Sequence, residues 1–259
     1  MSNLPIGIFD SGIGGLSIWK EINQLMPLES SIYIADSKNA PYGNKAQQEI
    51  TELSIHNTEF LINQGCKIIV VACNTATTNS IKYLRDNFNI PFIGIEPATK
   101  PAAIQTKTGK IGILATSGTL ASELFLNTSR SFRGNVEIIE TIGKGLVPII
   151  ETGDISHAAS LLEEYLTPMV EAGVDNIVLG CTHYPFLKPI IEKLVDPSIS
   201  IIDSGNAVAL QTKKILKENS LLQYEHNLAN HTFYSSGNTA ILKKFATRIN
   251  ATNYIIKTF

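Results

Sequence analysis

The sequence predicts an α/β fold of two pseudo-symmetric domains, each a mainly parallel sheet flanked by helices, with the functional site in the cleft between them. Short apolar runs rich in β-branched residues alternate with amphipathic segments, as in β-α-β units with right-handed crossovers. The order of these parts between residues 4 and 95 starts again near residue 110. In each half, a cysteine stands between a strand and a helix start. We therefore expect two similar halves.

The first half contains four predicted strands separated by helices. Its clearest strand runs from Ile68 to Val71 and leads to Cys73, and Asn74 and Thr75 are suited to cap the helix that follows. A glycine-rich turn at Gly12 follows the first strand. The remaining strands are predicted near 4–9, 31–36 and 90–95, and the helices run up to 26, over about 45–64 and through 84.

The second half repeats this pattern and the chain then returns to the first. Strands are predicted near 110–115, 136–139, 175–180, 199–202 and 232–235, helices near 156–172, 204–217 and 238–249, and a polar loop at 221–230. Apolar runs and glycine or proline stops define these bounds. We place the first domain at 1–95 plus 205–259 and the second at 96–204.

Composition limits the classes of function. The chain has 259 residues, of which 44% are hydrophobic and 17% charged, so it can bury a substantial core. A formal net charge of −2 predicts no nucleic-acid or membrane partner. The apolar runs are too short to cross a bilayer, and the first residues do not resemble a signal peptide. Three cysteines without metal-ligand spacing predict a reduced, soluble, cytoplasmic protein without a metal site.

The glycine turn has a competing interpretation. Gly12 and Gly14 after a strand, with Asp36 at the end of the next one, imitate a dinucleotide-binding fingerprint. Ser17 occupies the third glycine position, and the carboxylate of Asp10 at the mouth would repel a pyrophosphate. These two departures make nucleotide binding the weaker hypothesis.

Nucleophilic catalysis by a single cysteine is also a weaker hypothesis. A phosphatase would need an arginine six residues after its cysteine. That position holds Asn79 in the case of Cys73 and Leu187 in the case of Cys181. A Cys–His amidase site could use Cys181 and His183 but would leave Cys73 unexplained.

Two cysteines in equivalent places fit a different chemistry. Asp10 comes directly before the glycine turn, at the end of a strand that we expect to lie beside the strand leading to Cys73. His183 lies two residues after Cys181. If the halves face each other, the two sulfurs flank one cleft, and one thiol can remove a proton from a carbon while the other returns a proton to the opposite face. Cys66 has no polar helix start after it, so we interpret it as a packed core residue.

Several motifs together resemble the glutamate racemase family, within the aspartate/glutamate racemase superfamily. The similarity extends from about residue 6 to residue 204 in consistent order. The motifs are Asp10-Ser11-Gly12-x-Gly14-Gly15, Pro41-Tyr42-Gly43, Ala72-Cys73-Asn74-Thr75-Ala76, Val147-Pro148-Ile149-Ile150-Glu151-x-Gly153 and Gly180-Cys181-Thr182-His183-Tyr184-Pro185.

This resemblance implies a cofactor-independent interconversion of L- and D-glutamate by a homodimer that supplies D-glutamate for peptidoglycan. It implies that Cys73 and Cys181 are the acid/base pair, assisted by Asp10 and His183, with Glu151 supporting the histidine. The matching substrate-contact positions are Asp10, Ser11, Tyr42, Gly43, Asn74, Thr75, Thr182 and His183, with Thr116 and Thr119 as weaker candidates. A racemase for aspartate or another amino acid, and a binding or regulatory module that reuses the fold, are the alternatives.

Overall fold

The computed structural model describes residues 3–132, 134–224 and 228–259, and it contains two parallel sheets flanked by helices. The predicted fold class is therefore confirmed. The strands are β1 (Ile6–Asp10), β2 (Ser31–Ala35), β3 (Ile68–Val71), β4 (Phe92–Gly94), β5 (Lys110–Ala115), β6 (Glu137–Ile142), β7 (Asn176–Gly180), β8 (Ser200–Ile202), β9 (His231–Ser235) and β10 (Tyr254–Thr258).

The two sheets share one strand order. The first sheet has the order β10-β9-β2-β1-β3-β4 and the second has β6-β5-β7-β8, with every described pairing parallel. β1 and β5 therefore occupy equivalent central positions, and so do β3 and β7. The strands that precede the two cysteines are each the neighbour of the first strand of their half. β9 and β10 extend only the first sheet.

Helices cover the faces of both sheets. They are α1 (Leu16–Leu25), α2 (Gln47–Asn63), α3 (Asn74–Asn87), α4 (Thr99–Gln105), α5 (Ser117–Leu120), α6 (Glu123–Arg130), α7 (Leu146–Glu151), α8 (Ala158–Ala172), α9 (Lys188–Leu194), α10 (Gly205–Glu218) and α11 (Thr239–Arg248). Short 3₁₀ turns at Ile13–Gly15, Ser37–Asn39, Tyr42–Asn44 and Tyr184–Leu187 follow strands or precede helices.

Burial explains why the apolar runs form central strands. All residues of β1, β2, β3 and β7 are buried, because helices cover both faces of a parallel sheet. Aromatic side chains from β2, β9 and α1 fill the space beneath the first sheet, where Trp19 and Tyr33 both contact the ring of Phe233 edge-on. The rigid sheet fixes the positions of the loops at its carboxyl edge.

The structure corrects several local expectations. Cys73 itself is the N-cap residue of α3, with its sulfur accepting the amide N–H of Ala76, whereas we expected Asn74 and Thr75 to cap this helix. Helices α4, α5, α6 and α7 and strand β10 were not predicted. The polar segment 221–230 contains no helix or strand within its described part, and residues 225–227 lie outside the described residues.

The chain crosses between the two sheets in two adjacent segments, after β4 and after β8. The hydroxyl group of Ser204 donates a hydrogen bond to the main-chain carbonyl of Glu96, so the two crossings are tied together. Within the described ranges, none of the helices is both long and apolar enough to span a bilayer.

Candidate active site

The carboxyl ends of β1, β3 and β7 bring the predicted chemistry together. Asp10 ends β1, Cys73 follows β3, and Cys181 follows β7 of the other sheet. In parallel α/β sheets this edge is where ligands bind, because loops and helix N-termini converge there. Both cysteines line one small cavity between the sheets, together with Ser11, Tyr42, Gly43, Asn74, Thr75, Thr116, Thr182 and His183.

Cys73 is held as a thiol in the resting protein. Its side chain is buried, and its sulfur lies 3.5 Å from the hydroxyl oxygen of Ser11 and 3.4 Å from the amide nitrogen of Ala76. Burial, with the nearby carboxylate of Asp10, raises the pKa of Cys73 to about 12. The Ser11 hydroxyl and the helix amide oppose this rise, because both stabilise the thiolate. A thiolate formed here during a reaction would therefore meet two hydrogen-bond donors.

Cys181 lies beside a histidine from its own loop. The Nδ1 atom of His183 is 3.8 Å from the sulfur of Cys181, and its Nε2 atom is 2.6 Å from Oε1 of Glu151. Burial disfavours the imidazolium, but the hydrogen bonds to Cys181 and Glu151 outweigh it and raise the pKa of His183 well above its ordinary value. A cation is thus held next to the second sulfur, where it can stabilise a thiolate.

Glu151 joins the two halves of the site. It belongs to α7, next to the second sheet, yet its Oε1 atom accepts the amide N–H of Ile13 at 2.7 Å. Its Oε2 atom accepts the hydroxyl group of Ser37 at 2.9 Å. Both donors lie in loops of the first sheet. The predicted contact between Glu151 and His183 is therefore present, and two bonds across the cleft support it.

Asp10 also forms hydrogen bonds across the cleft. It is fully buried, its Oδ1 atom accepts the amide N–H of Gly12, and its Oδ2 atom accepts the hydroxyl group of Thr182, both at 2.8 Å. Burial raises the pKa of Asp10, while the positive charge of His183 and these hydrogen bonds oppose that rise. We expected Asp10 to assist Cys73. The charge of Asp10 acts on Cys73 electrostatically. Its hydrogen bond across the cleft, by contrast, is with Thr182, which follows Cys181.

The glycine turn is shaped by the side chains that face it. A Cβ atom at Gly12 would overlap the carboxylate of Glu151, and one at Gly14 would overlap the imidazole of His183. The two glycines therefore allow close approach of the loop to the acid and the histidine. The side chains of Glu151 and His183 therefore cover this face of the turn, which disfavours the dinucleotide hypothesis.

The expected substrate contacts divide into two kinds. The hydroxyl group of Tyr42 is not turned into the cleft, because it donates to Oδ2 of Asp36 at 2.6 Å. By contrast, the buried amide nitrogen Nδ2 of Asn74 has no hydrogen-bond partner within the described part of the chain. Thr75 reaches across to Thr116, with 3.0 Å between the hydroxyl oxygens. Thr116 in turn lies 2.9 Å from the hydroxyl oxygen of Thr119.

The cavity between the cysteines is very small. Its volume is about 10 Å³, roughly the space of one water molecule. A wider space of about 290 Å³ lies outside it, between Pro41 and Gly43 on one side and Val147 and Pro148 on the other. A larger cavity of about 340 Å³, near Arg248, contains neither cysteine, so its size does not make it the site of the chemistry. The described ranges contain no cluster of three or more metal-ligating side chains.

Sequence reasoning missed the groups that support this site. Three hydroxyl groups on the side of the first sheet donate hydrogen bonds to this site. The hydroxyl group of Ser37 donates to Glu151, that of Tyr33 to the main-chain carbonyl of Gly12, and that of Ser17 to the main-chain carbonyl of Thr182. The position of Ser37, directly after Asp36 at a strand end, was the only signal for any of them. Their partners are far away in the chain, so spacing could not reveal the contacts.

Comparison with known proteins shows the family and the fold of the chain. The family model described as Asp/Glu/Hydantoin racemase matches residues 7–212. The glutamate racemase of Herpetosiphon aurantiacus is 42% identical over 246 residues, which cover 94% of this chain and 97% of the relative. The crystal structure of a glutamate racemase from Bacillus anthracis superposes with a TM-score of 0.88 at 30% identity, covering 100% of this chain and 98% of that one.

A second solved structure was determined with an amino acid bound. The glutamate racemase of Francisella tularensis, in complex with D-glutamate, superposes with a TM-score of 0.85 at 28% identity and covers 100% of this chain and 98% of that chain. The matches in sequence and in structure thus cover nearly the whole chain. The protein belongs to the aspartate/glutamate/hydantoin racemase family, and it is an isomerase.

Proposed function

We propose that the protein is a glutamate racemase that interconverts L- and D-glutamate by a two-base mechanism without a cofactor. The observation that carries this proposal is the position of two buried cysteines, Cys73 and Cys181, which line one cavity from equivalent strand ends of two facing sheets. The names of the relatives described above support glutamate as the substrate.

In this mechanism the two sulfurs exchange roles with the direction of reaction. One cysteine, as a thiolate, removes the α-proton of glutamate, and the other, as a thiol, donates a proton to the opposite face of the carbon. The electron pair left by the C–H bond forms the new C–H bond, so the configuration inverts and the two sulfurs end with their protonation states exchanged. Two fixed bases achieve this without any movement of a single base around the carbon.

The groups around each sulfur adjust its charge. His183, held as a cation by Glu151, stabilises negative charge on Cys181. Ser11 and the amide of Ala76 do the same for Cys73. We assign Asp10 to proton movement on the Cys73 side, through its electrostatic influence on that thiol. Its bond to Thr182 also keeps the two sides of the cleft together.

The α-proton of an amino acid is a very weak acid, so the site must stabilise the developing carbanion with fixed donors. The unpartnered Nδ2 atom of Asn74 is one such donor in the part of the chain that the structure describes. Hydroxyl groups of Ser11 and Thr75 and the main-chain N–H groups near Gly43 supply others for the carboxylates, while Thr182, whose hydroxyl group donates to Asp10, contributes through its main chain and position. Tyr42 contributes through the main chain and its position, since Asp36 accepts its hydroxyl group.

The biological setting follows from the product. D-Glutamate is a building block of peptidoglycan, and we propose that the protein supplies it in the cytoplasm as a homodimer. A reducing compartment suits the three thiols, none of which forms a disulfide. We further propose that residues 1–95 with 205–259 form one domain and residues 96–204 the other, and that the two move apart at the crossings.

The reaction itself is tested in deuterated water. Incubation of the protein with L-glutamate, without added cofactor, is expected to produce D-glutamate that carries deuterium at the α-carbon, because the proton donor is a thiol in exchange with solvent. Chiral chromatography with mass spectrometry measures both properties. Racemisation of aspartate alone would select the other substrate, and absence of exchange and racemisation with both would contradict the enzyme proposal.

Cysteine variants provide the controls for this experiment. Cys73→Ala and Cys181→Ala are each expected to abolish racemisation, whereas Cys66→Ala is expected to keep it. Cys66 is buried like the other two, but it packs near Gly7 in the apolar core rather than in the cleft. Near-normal turnover by either cleft variant would contradict the two-base mechanism.

A further inference from the structure

Tyr33 is a fully buried tyrosine in the middle of β2. Its ring packs edge-on against Phe233 with 5.9 Å between the ring centres, and it leaves no space for a side chain at Gly15. Its hydroxyl group donates a hydrogen bond of 2.6 Å to the main-chain carbonyl of Gly12. The ring therefore has a packing role, and the hydroxyl group has a separate contact in the glycine turn.

That contact fixes one peptide unit between two partners. The carbonyl of Gly12 and the N–H of Ile13 belong to the same planar, trans peptide, so they point in opposite directions. The Tyr33 hydroxyl group holds the carbonyl end, and Oε1 of Glu151 accepts the N–H end at 2.7 Å. A hydroxyl donated to the carbonyl also polarises the peptide and strengthens its N–H as a donor.

The same oxygen of Glu151 also contacts His183, which lies beside the sulfur of Cys181. Oε1 lies 2.6 Å from Nε2 of His183, whose Nδ1 atom is 3.8 Å from the sulfur of Cys181. An unbroken series of contacts thus leads from Tyr33, in the sheet that carries Cys73, to Cys181 in the other sheet. Each contact except the last is a short hydrogen bond.

We propose that Tyr33 is a positioning residue for the Cys181 half of the reaction, acting through the Gly12–Ile13 peptide and Glu151 on His183. This inference rests on the proposed racemisation. Tyr33 lies across the cleft from the groups it orients, so it makes the arrangement of His183 dependent on closure of the two halves. When the halves separate, Glu151 loses the N–H of Ile13 and the hydroxyl group of Ser37 together.

The charged and titratable groups that face His183 come from three elements. They are Cys181 after β7, Glu151 from α7 and Asp10 from β1. Removing the Tyr33 hydroxyl group leaves all three in place but frees the peptide that aligns Glu151. The His183 cation is then less well stabilised, so the pKa of His183 is expected to fall toward its ordinary value.

The test compares Tyr33→Phe with Tyr165→Phe as a matched control. Each change deletes a hydroxyl group that donates to a main-chain carbonyl. The hydroxyl group of Tyr165 donates to the carbonyl oxygen of Lys144 at 2.8 Å. For Tyr33→Phe we expect kcat/KM for glutamate to fall about tenfold, the size of one lost hydrogen bond. Tyr165→Phe is expected to keep wild-type kinetics.

Isotope effects separate a positioning role from a purely structural one. With α-deuterated glutamate, Tyr33→Phe is expected to raise the primary isotope effect on kcat/KM for one enantiomer only. That enantiomer should be the one whose isotope effect also rises in Glu151→Gln, which marks it as the enantiomer deprotonated by Cys181. The double variant is expected to be little slower than Glu151→Gln alone, because both changes act on one series of contacts. Equal isotope effects for both enantiomers, or additive losses in the double variant, would overturn the proposal.

A second measurement does not depend on turnover. In protein labelled with ¹⁵N in the histidine rings, the His183 signal is assigned by its loss in His183→Gln, and its titration midpoint is compared between wild type and Tyr33→Phe. We expect a lower midpoint in Tyr33→Phe and no change in Tyr165→Phe. An unchanged midpoint would overturn the Tyr33 role even if the wild type racemises glutamate. Absence of racemisation by the wild type would instead refute the proposed function.

Discussion

Gly14 illustrates how a single missing side chain determines the geometry of the site. It lies in the helical turn Ile13–Gly15, where alanine would be favoured over glycine by its lower conformational entropy in the unfolded chain. The space a Cβ atom would occupy is, however, filled by the imidazole ring of His183. The requirement for glycine here is therefore steric and comes from the opposite side of the cleft.

This conclusion predicts the effect of Gly14→Ala. The ring of His183 must move, which breaks its contact with Cys181 or with Glu151, and a displacement of about 1 Å in a reacting site costs roughly 100-fold in rate. We expect kcat to fall by at least about that factor while the fold is kept. Steady-state kinetics and circular dichroism with thermal unfolding measure the two effects. Turnover close to wild type in a folded protein would show that His183 does not need its observed position.

At the scale of secondary-structure elements, the buried runs were predictable, whereas several short or half-exposed elements were not. Ile68–Val71 and Asn176–Gly180 are apolar throughout, so their sequence alone indicates central strands. Strand β10 escaped prediction because it is an edge strand whose residues are half-buried or exposed. Helix α7 follows Gly145, which adopts a left-handed conformation, and its β-branched residues hide its helical nature.

The functional residues show the same division. Cys73, Cys181 and Asp10 could be located because each follows or ends a recognisable strand, where parallel sheets gather their ligands. Glu151 was named only through the family resemblance, and its bond to Ser37 was not predicted, because these two residues are 114 positions apart and meet only where the two sheets face each other. Periodicity encodes which elements form, whereas side-chain contacts across the cleft depend on how those elements are oriented.

β9 contributes a histidine, His231, whose burial favours its neutral form. The hydroxyl oxygen of Ser31 accepts the indole N–H of Trp19 at 2.7 Å and lies 2.8 Å from Nδ1 of His231, with which it forms a second hydrogen bond. Burial lowers the pKa of His231 to about 4. In the unfolded chain the imidazole of His231 is protonated with the ordinary histidine pKa of about 6.5. Stability contributed by neutral His231 is therefore complete above about pH 6.5 and is lost as the pH falls toward 4.

His231→Asn tests this linkage, since the asparagine side chain can form a hydrogen bond with Ser31 and does not titrate. The wild type is expected to lose up to about 3 kcal/mol more unfolding free energy than the variant between pH 7 and pH 4. Urea unfolding at several pH values measures this difference, and each protein serves as its own reference for packing changes. Parallel pH dependences for the two proteins would rule out His231 as the titrating group.

At the scale of the whole molecule, two halves with one strand order face each other across the site. β1 and β3 in the first sheet correspond to β5 and β7 in the second. This repetition places a strand end and a cysteine on each side of one cavity, which suits a reaction that treats two faces of a carbon alike. Hydrogen bonds from Thr182 to Asp10 and from Ser117 to the carbonyl of Gly43 hold the halves closed.

A cavity of about 10 Å³ is too small for an amino acid with a five-carbon chain, so we expect substrate entry to require the halves to separate. A disulfide across the entrance should therefore stop turnover. A Cβ atom at Gly43 would lie 3.1 Å from Cβ of Thr116, slightly closer than in ordinary disulfides, so a small shift allows Gly43→Cys and Thr116→Cys to be linked.

Because both positions lie in the site, the comparison is made within the double variant, between its oxidised and reduced forms. Oxidation is expected to lower kcat/KM at least about 100-fold, and reduction with dithiothreitol is expected to restore it, since entry depends on opening. The two single variants, treated with the same oxidant, control for oxidation of Cys73 and Cys181, and mass spectrometry confirms the link. Full activity in the linked protein would mean that glutamate enters by a route that leaves Gly43 and Thr116 in contact.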